Sequence, residues 1–305
     1  MKILVTGATG FVGKTLLPLL TEKGHEIIIL TRDINSAQVR VPVVCKIIEW
    51  DPAKPLSHIE DNIDIVINLC GENVASGRWT SKRKQAIYNS RILATRNLIH
   101  YFRKNSHPIK AWISASAIGI YENSIVSDES APSGQEFLAK ICKDWEEETF
   151  KARDLNIRTI AFRIGIVLGF DGGAMEKILP VFKLGLGGNI SSGNQWMSWI
   201  HVRDLAGLIV EAIDNPSFEG PVNAVSPNPV TNREFTSTLA GILKRPAFFP
   251  VPGWILKLLL GEMSQLLINS QIISTDLPKI WGYKFIYPKI KNALKIICDQ
   301  AGHTL

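Results

Sequence analysis

The hydrophobic pattern begins with a short apolar run at residues 3–5, which is typical of a fully buried strand. A glycine-rich turn follows, and apolar residues at helical spacing then continue from residue 11 to about residue 23. Gly7, Gly10 and Gly13 give the spacing G-x-x-G-x-x-G across the turn and the start of the helix. A strand, a glycine turn and a helix in this order indicate a dinucleotide site, although a plain strand–turn–helix shares the order.

The three glycines each have a physical reason in such a site. Gly7 permits the tight turn away from the strand. Because Gly10 has no Cβ, a pyrophosphate can approach the backbone closely there. Gly13 lets the helix pack close to the sheet, while the free N–H groups at the helix start face the phosphates. We therefore expect cofactor contacts from the turn and the first helical residues, namely Gly7, Thr9, Gly10, Phe11, Val12 and Gly13.

Six more apolar runs alternate with helical patterns along the chain. They predict strands at residues 26–30, 43–50, 63–69, 111–116, 156–163 and 222–225, with helices from about residues 80, 134, 175 and 204. This alternation favours an α/β fold with a doubly wound, mainly parallel sheet of the Rossmann type. After residue 225 prolines recur, with two or three helical segments between them, so the sequence pattern differs from that of the preceding part. We predict a nucleotide-binding domain, residues 1–225 with a substrate-side insertion near 170–200, and a small, mostly helical C-terminal lobe on the substrate side, residues 226–305.

Composition excludes several classes of protein. The chain has 305 residues, 46% hydrophobic and 20% charged, as expected of a globular protein with a large core. No apolar run approaches the ~20 residues that span a bilayer, and a strand at residue 3 leaves no room for a secretory leader. The four cysteines are scattered without a C-x-x-C pair, so we expect no metal site and a cytoplasmic, reducing location. The net charge of +6 comes from interspersed charges, which predicts no nucleic-acid surface. A monomer and a homodimer both remain open.

The end of the second strand carries Thr31, Arg32 and Asp33. NAD-preferring sites place a carboxylate at this strand end, on the ribose 2′-hydroxyl, whereas an arginine pairs with the 2′-phosphate of NADP. Because Thr31 stands where the acid is expected and Arg32 follows, we favour NADP(H) over NAD(H). Asp33 could still reach the ribose, and both charged residues could simply cap and solvate a loop.

Two further strand ends supply candidate cofactor contacts. Asp51 could accept a hydrogen bond from the adenine amino group or only start a turn before Pro52, and the sequence does not separate these readings. Leu69, Cys70 and Gly71 end the fourth strand, where carboxyl ends line the ligand crevice and a glycine permits close approach.

The chain resembles the short-chain dehydrogenase/reductase superfamily, in its extended branch similar to nucleotide-sugar epimerases. The atypical "epimerase family protein" subgroup is matched by several segments, among them Gly71-Glu72-Asn73, Arg78-Trp79-Thr80, Ser114-Ala115-Ser116-Ala117, Ser198-Trp199-Ile200-His201 and Gly282-Tyr283-Lys284-Phe285. The resemblance covers essentially the whole chain. It implies a Rossmann sheet, NADP binding and a C-terminal segment of unknown role, but no known substrate.

The superfamily's proton relay, Tyr-x-x-x-Lys on a helix, is predicted to be absent. Its i, i+4 spacing places both residues on one helix face, where the lysine lowers the pKa of the tyrosine. Phe137 and Ile141 occupy the best-aligned positions here, and neither transfers a proton. Lys140 is one residue out of register. Ser116 stands at the superfamily's serine position.

Replacement catalytic residues are therefore hypotheses. We consider Glu72, Arg91 and Ser116, with Arg78 and Lys82 as holders of an anionic substrate. Glu72 could instead pair with an arginine such as Arg78 for structure, and Ser116 could be a buried hydroxyl bonded to backbone.

Three further residues have structural readings that compete with functional ones. His201 could be a general base, but its place before a helix favours a role at the helix entry. Trp196 and Trp199 could wall a substrate cavity or belong to the core. Two functions follow: an enzyme transferring hydride between NADP(H) and a carbonyl or sugar-nucleotide compound, or a non-catalytic NADP(H)-binding sensor or scaffold.

Overall fold

The structure, a computed structural model, describes residues 1–105, 108–123 and 126–302, so residues 303–305 of the predicted lobe lie outside it. Its strands are β1 (Lys2–Thr6), β2 (Glu26–Thr31), β3 (Lys46–Glu49), β4 (Ile65–Asn68), β5 (Ala111–Ala117), β6 (Val126–Ser127), β7 (Arg158–Ile164), β8 (Ile166–Gly169), β9 (Gly172–Gly173), β10 (Trp196–Met197), β11 (Trp199–His201), β12 (Gly220–Ala224), β13 (Val230–Thr231) and β14 (Ile272–Ile273).

The α-helices are α1 (Phe11–Glu22), α2 (Ile34–Arg40), α3 (Ser81–Asn105), α4 (Phe137–Phe150), α5 (Met175–Lys183), α6 (Val202–Asp214), α7 (Asn232–Leu243), α8 (Gly253–Leu260), α9 (Gln265–Ile268), α10 (Asp276–Ile280) and α11 (Ile290–Gly302). Short 3-10 helices cover Ile118–Ile120, Lys151–Leu155 and Gly261–Ser264. Within the described ranges, none of these helices combines the length and apolarity that crossing a membrane requires.

The central sheet has seven strands in the order β12-β7-β5-β4-β1-β2-β3, and every neighbouring pair is parallel. The chain fills one side of β1 first and then crosses to β4 on the other side. This reversal creates a crevice at the carboxyl ends of β1 and β4, where ligands of doubly wound sheets bind. The predicted α/β, Rossmann-type sheet is confirmed.

Strand β1 shows how the sequence builds two layers around the sheet. Its side chains alternate, so Ile3 and Val5 enter one core cluster and Leu4 enters another. The first cluster also contains Leu16 and Leu205, from α1 and α6, and the second contains Leu98 and Phe102, from α3. Because both faces are covered by helices, the strands read as continuous apolar runs.

The C-terminal part is tied into the Rossmann part at the start of α6. The carboxylate of Asp204, fully buried, accepts hydrogen bonds from the backbone N–H of Ile286 at 2.6 Å and of Tyr287 at 2.9 Å. Tyr283 donates its hydroxyl to the carbonyl of Asp204 at 3.0 Å. Burial raises the pKa of Asp204. Strand β14 also adds to β6 in parallel.

Several element boundaries differ from the sequence prediction. Strand β3 pairs with β2 only over Lys46–Glu49, so residues 43–45 stay outside the ladder. The strand predicted from residue 156 begins at Arg158, because Asn156 has a φ of 58° and ends a 3-10 turn. Helix α4 begins at Phe137 rather than 134, and α6 at Val202 rather than 204.

Candidate functional site

A cleft of about 380 Å³ lies at the carboxyl ends of β1, β2 and β4. It is placed at the point where the strand order reverses, as expected of a nucleotide site in this architecture. The cleft brings together eight of the predicted cofactor-binding residues: Gly7, Thr9, Gly10, Arg32, Asp51, Leu69, Cys70 and Gly71. Phe11, Val12 and Gly13 do not line it.

Gly7 fixes the shape of the turn for two reasons. Its φ of +69° is in the left-handed region, and a Cβ at this position would lie 2.5 Å from the carbonyl oxygen of Leu69. The turn therefore packs directly on the end of β4. Gly10 closes the turn by donating its N–H to the Gly7 carbonyl at 3.0 Å, and its own Cβ position meets only that oxygen within 4 Å.

Gly13 and Phe11 secure the start of α1 in ways that the sequence did not show. A Cβ on Gly13 would lie 2.4 Å from the carbonyl oxygen of Ala8, so the close contact is with the glycine turn rather than with the sheet. The Phe11 ring occupies space that Cβ atoms on Gly169 and Gly172 would fill, at 2.6 and 2.7 Å. The Phe11 ring thus packs the start of α1 against Gly169 of β8 and Gly172 of β9.

The N-terminus of α1 is free to bind an anion. Its N-cap, Gly10, has no side chain to accept from the first N–H groups, and the first turn contains no acidic residue. Those N–H groups and the positive end of the helix dipole favour a phosphate at this position.

Arg32 and Asp33 take different roles at the end of β2. Asp33 caps α2, because its carboxylate accepts the N–H of Ser36 at 2.9 Å. Arg32 lies on the cleft with 70% of its side chain exposed, and its Nη1 is 3.4 Å from Oε1 of Glu72. The carboxylate of Asp33, which could have bound the ribose hydroxyls, thus caps a helix, whereas Arg32 faces the cleft.

Asp51 forms the turn considered from the sequence, and the contact with adenine stays a prediction. Its Oδ1 accepts the N–H of Ala53 at 3.0 Å, as in a turn, and its Oδ2 is 3.8 Å from Nζ of Lys54. Asp51 also lines the cleft beside Pro52, so its half-exposed carboxylate faces ligand space as well.

Glu72 lies on the cleft between two arginines. Its Oε2 is 3.2 Å from Nη1 of Arg83, opposite the contact with Arg32. Arg78, the partner considered from the sequence, instead donates to the carbonyl of Leu258 in α8 at 2.8 Å. Lys82 is exposed in the first turn of α3.

Arg91 is held by backbone carbonyls beneath the end of β4. It donates to the carbonyl of Ile87 at 3.0 Å and of Glu72 at 3.1 Å, and its guanidinium lies 5.2 Å from the centre of the Trp145 ring. A Cβ on Gly71 would lie 3.0 Å from it, so that glycine makes room for the arginine. Burial lowers the pKa of Arg91. Its contacts hold the loop that carries Glu72.

Ser116 belongs to a buried charge network that the sequence analysis missed. Its Oγ donates to Oε1 of Glu146 at 2.6 Å, and Arg163 binds both oxygens of that carboxylate, at 2.9 and 2.8 Å. Ser116 and Arg163 are opposite each other in β5 and β7, and α4 supplies the glutamate. Two signals could have indicated that these charges are buried, although not that they pair: Glu146 follows Cys142 by four residues on an apolar helix face, and Arg163 interrupts an apolar strand.

Tyr121 extends this network. Arg163 donates to its hydroxyl at 2.8 Å, and the hydroxyl donates to Oδ1 of Asn223 at 2.7 Å. Burial raises the pKa of Tyr121 to about 12, so the phenol stays protonated near neutral pH.

The positions of the superfamily's tyrosine and lysine lie in an apolar cluster. The Phe137 ring packs edge-on against Trp79 with 5.2 Å between centres, and Ile141 is buried. Met263, from the C-terminal segment, belongs to the same cluster. Lys140 is exposed. Neither aligned side chain can transfer a proton, and the segment around Met263 fills the space beside them.

His201 acts as the N-cap of α6. Its Nδ1 accepts the N–H of Arg203 at 3.2 Å, and its ring centre is 4.2 Å from that of Tyr287. Burial, and then the nearby Arg203, lowers the pKa of His201 to about 4. Trp199 is fully buried, whereas Trp196 is partly exposed.

The strand order and the position of the cleft are those of the Rossmann type of nucleotide-binding architecture. The chain belongs to the NAD dependent epimerase/dehydratase family, whose sequence profile matches residues 3–225. A second profile, a domain of unknown function (DUF1731), matches residues 251–297. Together they confirm the resemblance drawn from the sequence, including the C-terminal segment.

Individual relatives extend over nearly the whole chain. "Epimerase family protein YfhF" of Bacillus subtilis is 38% identical and covers 98% of this chain and 99% of its own length. "Epimerase family protein SDR39U1 homolog, chloroplastic" of Arabidopsis thaliana is also 38% identical, over 97% of this chain and 86% of that protein.

Solved structures give the same assignment. The crystal structure of human epimerase family protein SDR39U1 (isoform 2) with NADPH is 32% identical, covers 98% of this chain and 99% of its own, and superposes with a TM-score of 0.87. A UDP-galactose 4-epimerase structure has a TM-score of 0.79 at 18% identity, a likeness that shows the fold alone.

Proposed function

We propose that the chain binds NADP(H) in the cleft between β1, β2 and β4 and acts as an oxidoreductase or epimerase without the Tyr-x-x-x-Lys relay. The observation that carries the proposal is the placement of two anion-binding features on one cleft. The glycine turn, which lines the cleft through Gly7, Thr9 and Gly10 and leads into the uncapped start of α1, suits the pyrophosphate, and Arg32 suits the 2′-phosphate. The human relative crystallised with NADPH supports this choice of cofactor.

The residues of the cleft fit such a cofactor. Gly10 leaves the turn backbone open to a diphosphate, while Gly7 lets the turn pack on the end of β4 and Gly71 makes room for Arg91 behind the cleft wall. Asp33 is engaged as a helix cap, which removes the nearest carboxylate from the ribose position. We infer a preference for NADP(H) over NAD(H) from this combination.

Ser116 is our candidate for contact with the substrate. When bound, the nicotinamide would supply or accept hydride. Ser116 directs its proton to Glu146, so its oxygen is left as an acceptor. An acceptor of this kind suits the hydroxyl of a secondary alcohol, and we propose that the substrate carries an alcohol that is oxidised to a carbonyl, or the reverse, as in sugar nucleotides.

The free cysteines, Cys45, Cys70, Cys142 and Cys298, accord with a cytoplasmic location.

Calorimetric titration with NADPH and NADH tests the cofactor assignment. We expect Arg32→Ala to weaken NADPH binding about 10- to 100-fold, as for a lost charge-assisted hydrogen bond, and to leave NADH binding nearly unchanged. Arg245→Ala, which removes an exposed arginine after α7, is the charge-matched control. If the protein, freed of co-purified nucleotide, binds neither cofactor, the proposal is overturned.

A second candidate function is a non-catalytic NADP(H)-binding sensor or scaffold. The apolar cluster of Phe137, Ile141 and Met263 favours it, since the standard relay positions serve packing. Oxidation or reduction of the bound nicotinamide with a panel of carbonyl and sugar-nucleotide compounds separates the two functions. Turnover that falls in Ser116→Ala supports the enzyme; tight NADPH binding without turnover on the panel supports the sensor.

A further inference from the structure

Glu72 stands where a nucleotide phosphate would compete with it. We propose, resting on the NADP(H) assignment above, that Glu72 is an internal competitor for Arg32 and thereby sets the discrimination between NADP(H) and NAD(H). Its carboxylate bridges Arg32, at 3.4 Å, and Arg83, at 3.2 Å, on the wall of the cleft. This assigns to Glu72 a role in cofactor choice rather than in proton transfer.

The carboxylate is held in this place by its own backbone. The N–H of Glu72 donates to Oγ of Ser90 at 2.9 Å, and its carbonyl accepts from Nη2 of Arg91 at 3.1 Å. Ser90 in turn donates to the carbonyl of Ile87 in the same helix, α3. Because both backbone groups are fixed, the side chain of Glu72 can reach both arginines without ordering a flexible loop.

The two contacts of Glu72 differ in strength. The Arg32 contact is longer than the 2.7–2.9 Å of a good charge-assisted bond, and the Arg32 side chain is 70% exposed. Arg83 is only 22% exposed and also donates to the carbonyl of Asn73 and to Oγ of Ser76. Arg32 is therefore the partner that can leave, and Arg83 is the partner that stays.

A 2′-phosphate can replace Glu72 as the partner of Arg32 without leaving any of the charges unpaired. A phosphate carries about −1.5 to −2 charges near neutral pH, against −1 for a carboxylate. It therefore binds the exposed guanidinium of Arg32 more strongly than Glu72 does. Glu72 then keeps Arg83 as its counter-ion. NADH has no 2′-phosphate and leaves the pair of Arg32 and Glu72 intact, so only NADPH binding includes the exchange.

The competition has a measurable consequence. Glu72 both occupies Arg32 and repels the incoming phosphate, so its neutral isostere should strengthen NADPH binding. We expect Glu72→Gln to bind NADPH about 3- to 10-fold more tightly, as for loss of one like charge near a partly exposed site, with NADH changed less than about twofold. The gain should shrink as salt is raised, since the charges are exposed.

The experiment is a double-mutant cycle by calorimetry with four proteins: wild type, Glu72→Gln, Arg32→Ala and the double variant. Each is titrated with NADPH, NADH, and the fragments adenosine 2′,5′-bisphosphate and AMP. The gain from Glu72→Gln should appear with NADPH and the bisphosphate and vanish in the Arg32→Ala background. Glu219→Gln, an exposed glutamate 3.8 Å from Arg153, is the matched control.

The outcomes separate this inference from the cofactor assignment. If wild type prefers NADPH through Arg32 but Glu72→Gln leaves that preference unchanged or reduces it, the competitor role is overturned and the assignment stands. A gain that persists without Arg32, or that is equal for NADPH and NADH, also overturns the role. If wild type binds neither nucleotide, both the competitor role of Glu72 and the cofactor assignment are overturned.

Discussion

Two regions of the carboxyl edge of the sheet handle charge in opposite ways. The cleft side, at the ends of β1, β2 and β4, has exposed charges: 70% of the Arg32 side chain and 30% of the Glu72 side chain are accessible. The buried-pair side, at the ends of β5 and β7 beneath α4, encloses its ion pair, with Arg163 and Glu146 accessible to 9% and 8%. Charges of the first kind are open to solvent and ligands, whereas those of the second kind are part of the fold.

The difference also concerns what the backbone does on each side. On the cleft side the first N–H groups of α1 have no side-chain cap, because the N-cap residue is Gly10. On the buried-pair side the polar groups are side chains that already have partners, such as Ser116 on Glu146. The first side therefore presents an open surface, whereas the polar groups named on the second side are already satisfied.

The largest expected effect comes from making the same substitution on both sides. Glu146→Gln leaves the buried guanidinium of Arg163 without its carboxylate, and we expect a loss of about 3 to 5 kcal/mol in the free energy of unfolding. Glu72→Gln removes a partly exposed pair and should change stability by less than about 1 kcal/mol. Urea denaturation of both variants measures the contrast. Similar small losses would show that the pair of Glu146 and Arg163 is solvated.

A smaller effect is expected from pH, through the buried histidine at the start of α6. His201 has a folded-state pKa of about 4, against an ordinary value of 6.5, so between these values the unfolded chain binds more protons. The free energy of unfolding should fall as pH drops from 6.5 to 4, by on the order of 3 kcal/mol from this group.

His201→Asn tests that slope, because asparagine is a good N-cap and does not titrate. Its denaturation midpoint should depend less on pH between 6.5 and 4 than that of wild type, even though it also loses the ring contact with Tyr287. His58→Asn, at an exposed histidine, is the control and should keep the wild-type slope. An unchanged slope in His201→Asn would contradict the role of burial.

The smallest effect sharpens the account of the glycine turn. Gly7 and Gly24 have φ values of +69° and +74°, but only at Gly7 would a Cβ meet backbone, while nothing lies within 4 Å at Gly24. We expect Gly24→Ala to cost about 1 kcal/mol, for the left-handed backbone alone, and Gly7→Ala about 2 kcal/mol more, for the contact with Leu69. Thermal and chemical denaturation give both values. Equal losses would mean that the turn moves away from β4 freely.

The glycine turn and the residues of the cleft side could be found from the sequence because their features are local. Gly7, Gly10 and Gly13 identify a turn by their spacing, and Arg32 follows a strand with a clear apolar pattern. The apolar runs likewise identified the seven strands of the central sheet, because periodicity reports which face is buried. Element ends were less accurate, since caps such as His201 depend on a single side-chain bond.

The contacts of the buried-pair side could not be predicted because they join distant segments. Glu146 meets Ser116 across 30 residues and Arg163 across 17, and no local spacing encodes either pairing. The partner of Glu72 was misjudged for a related reason. Arg83 lies in the first turn of α3 and Arg78 precedes that helix, and only the path of the chain decides which arginine reaches Glu72.

The hold of the C-terminal segment on Asp204 has a consequence for the time course of folding. The ribosome makes this aspartate 82 residues before Ile286, whose N–H group it binds. Until that late segment emerges, the start of α6 has a carboxylate that water must solvate, so the helix cannot settle fully against the sheet. A segment that lies 82 residues further along the chain is thus required to complete the packing of α6 against the sheet.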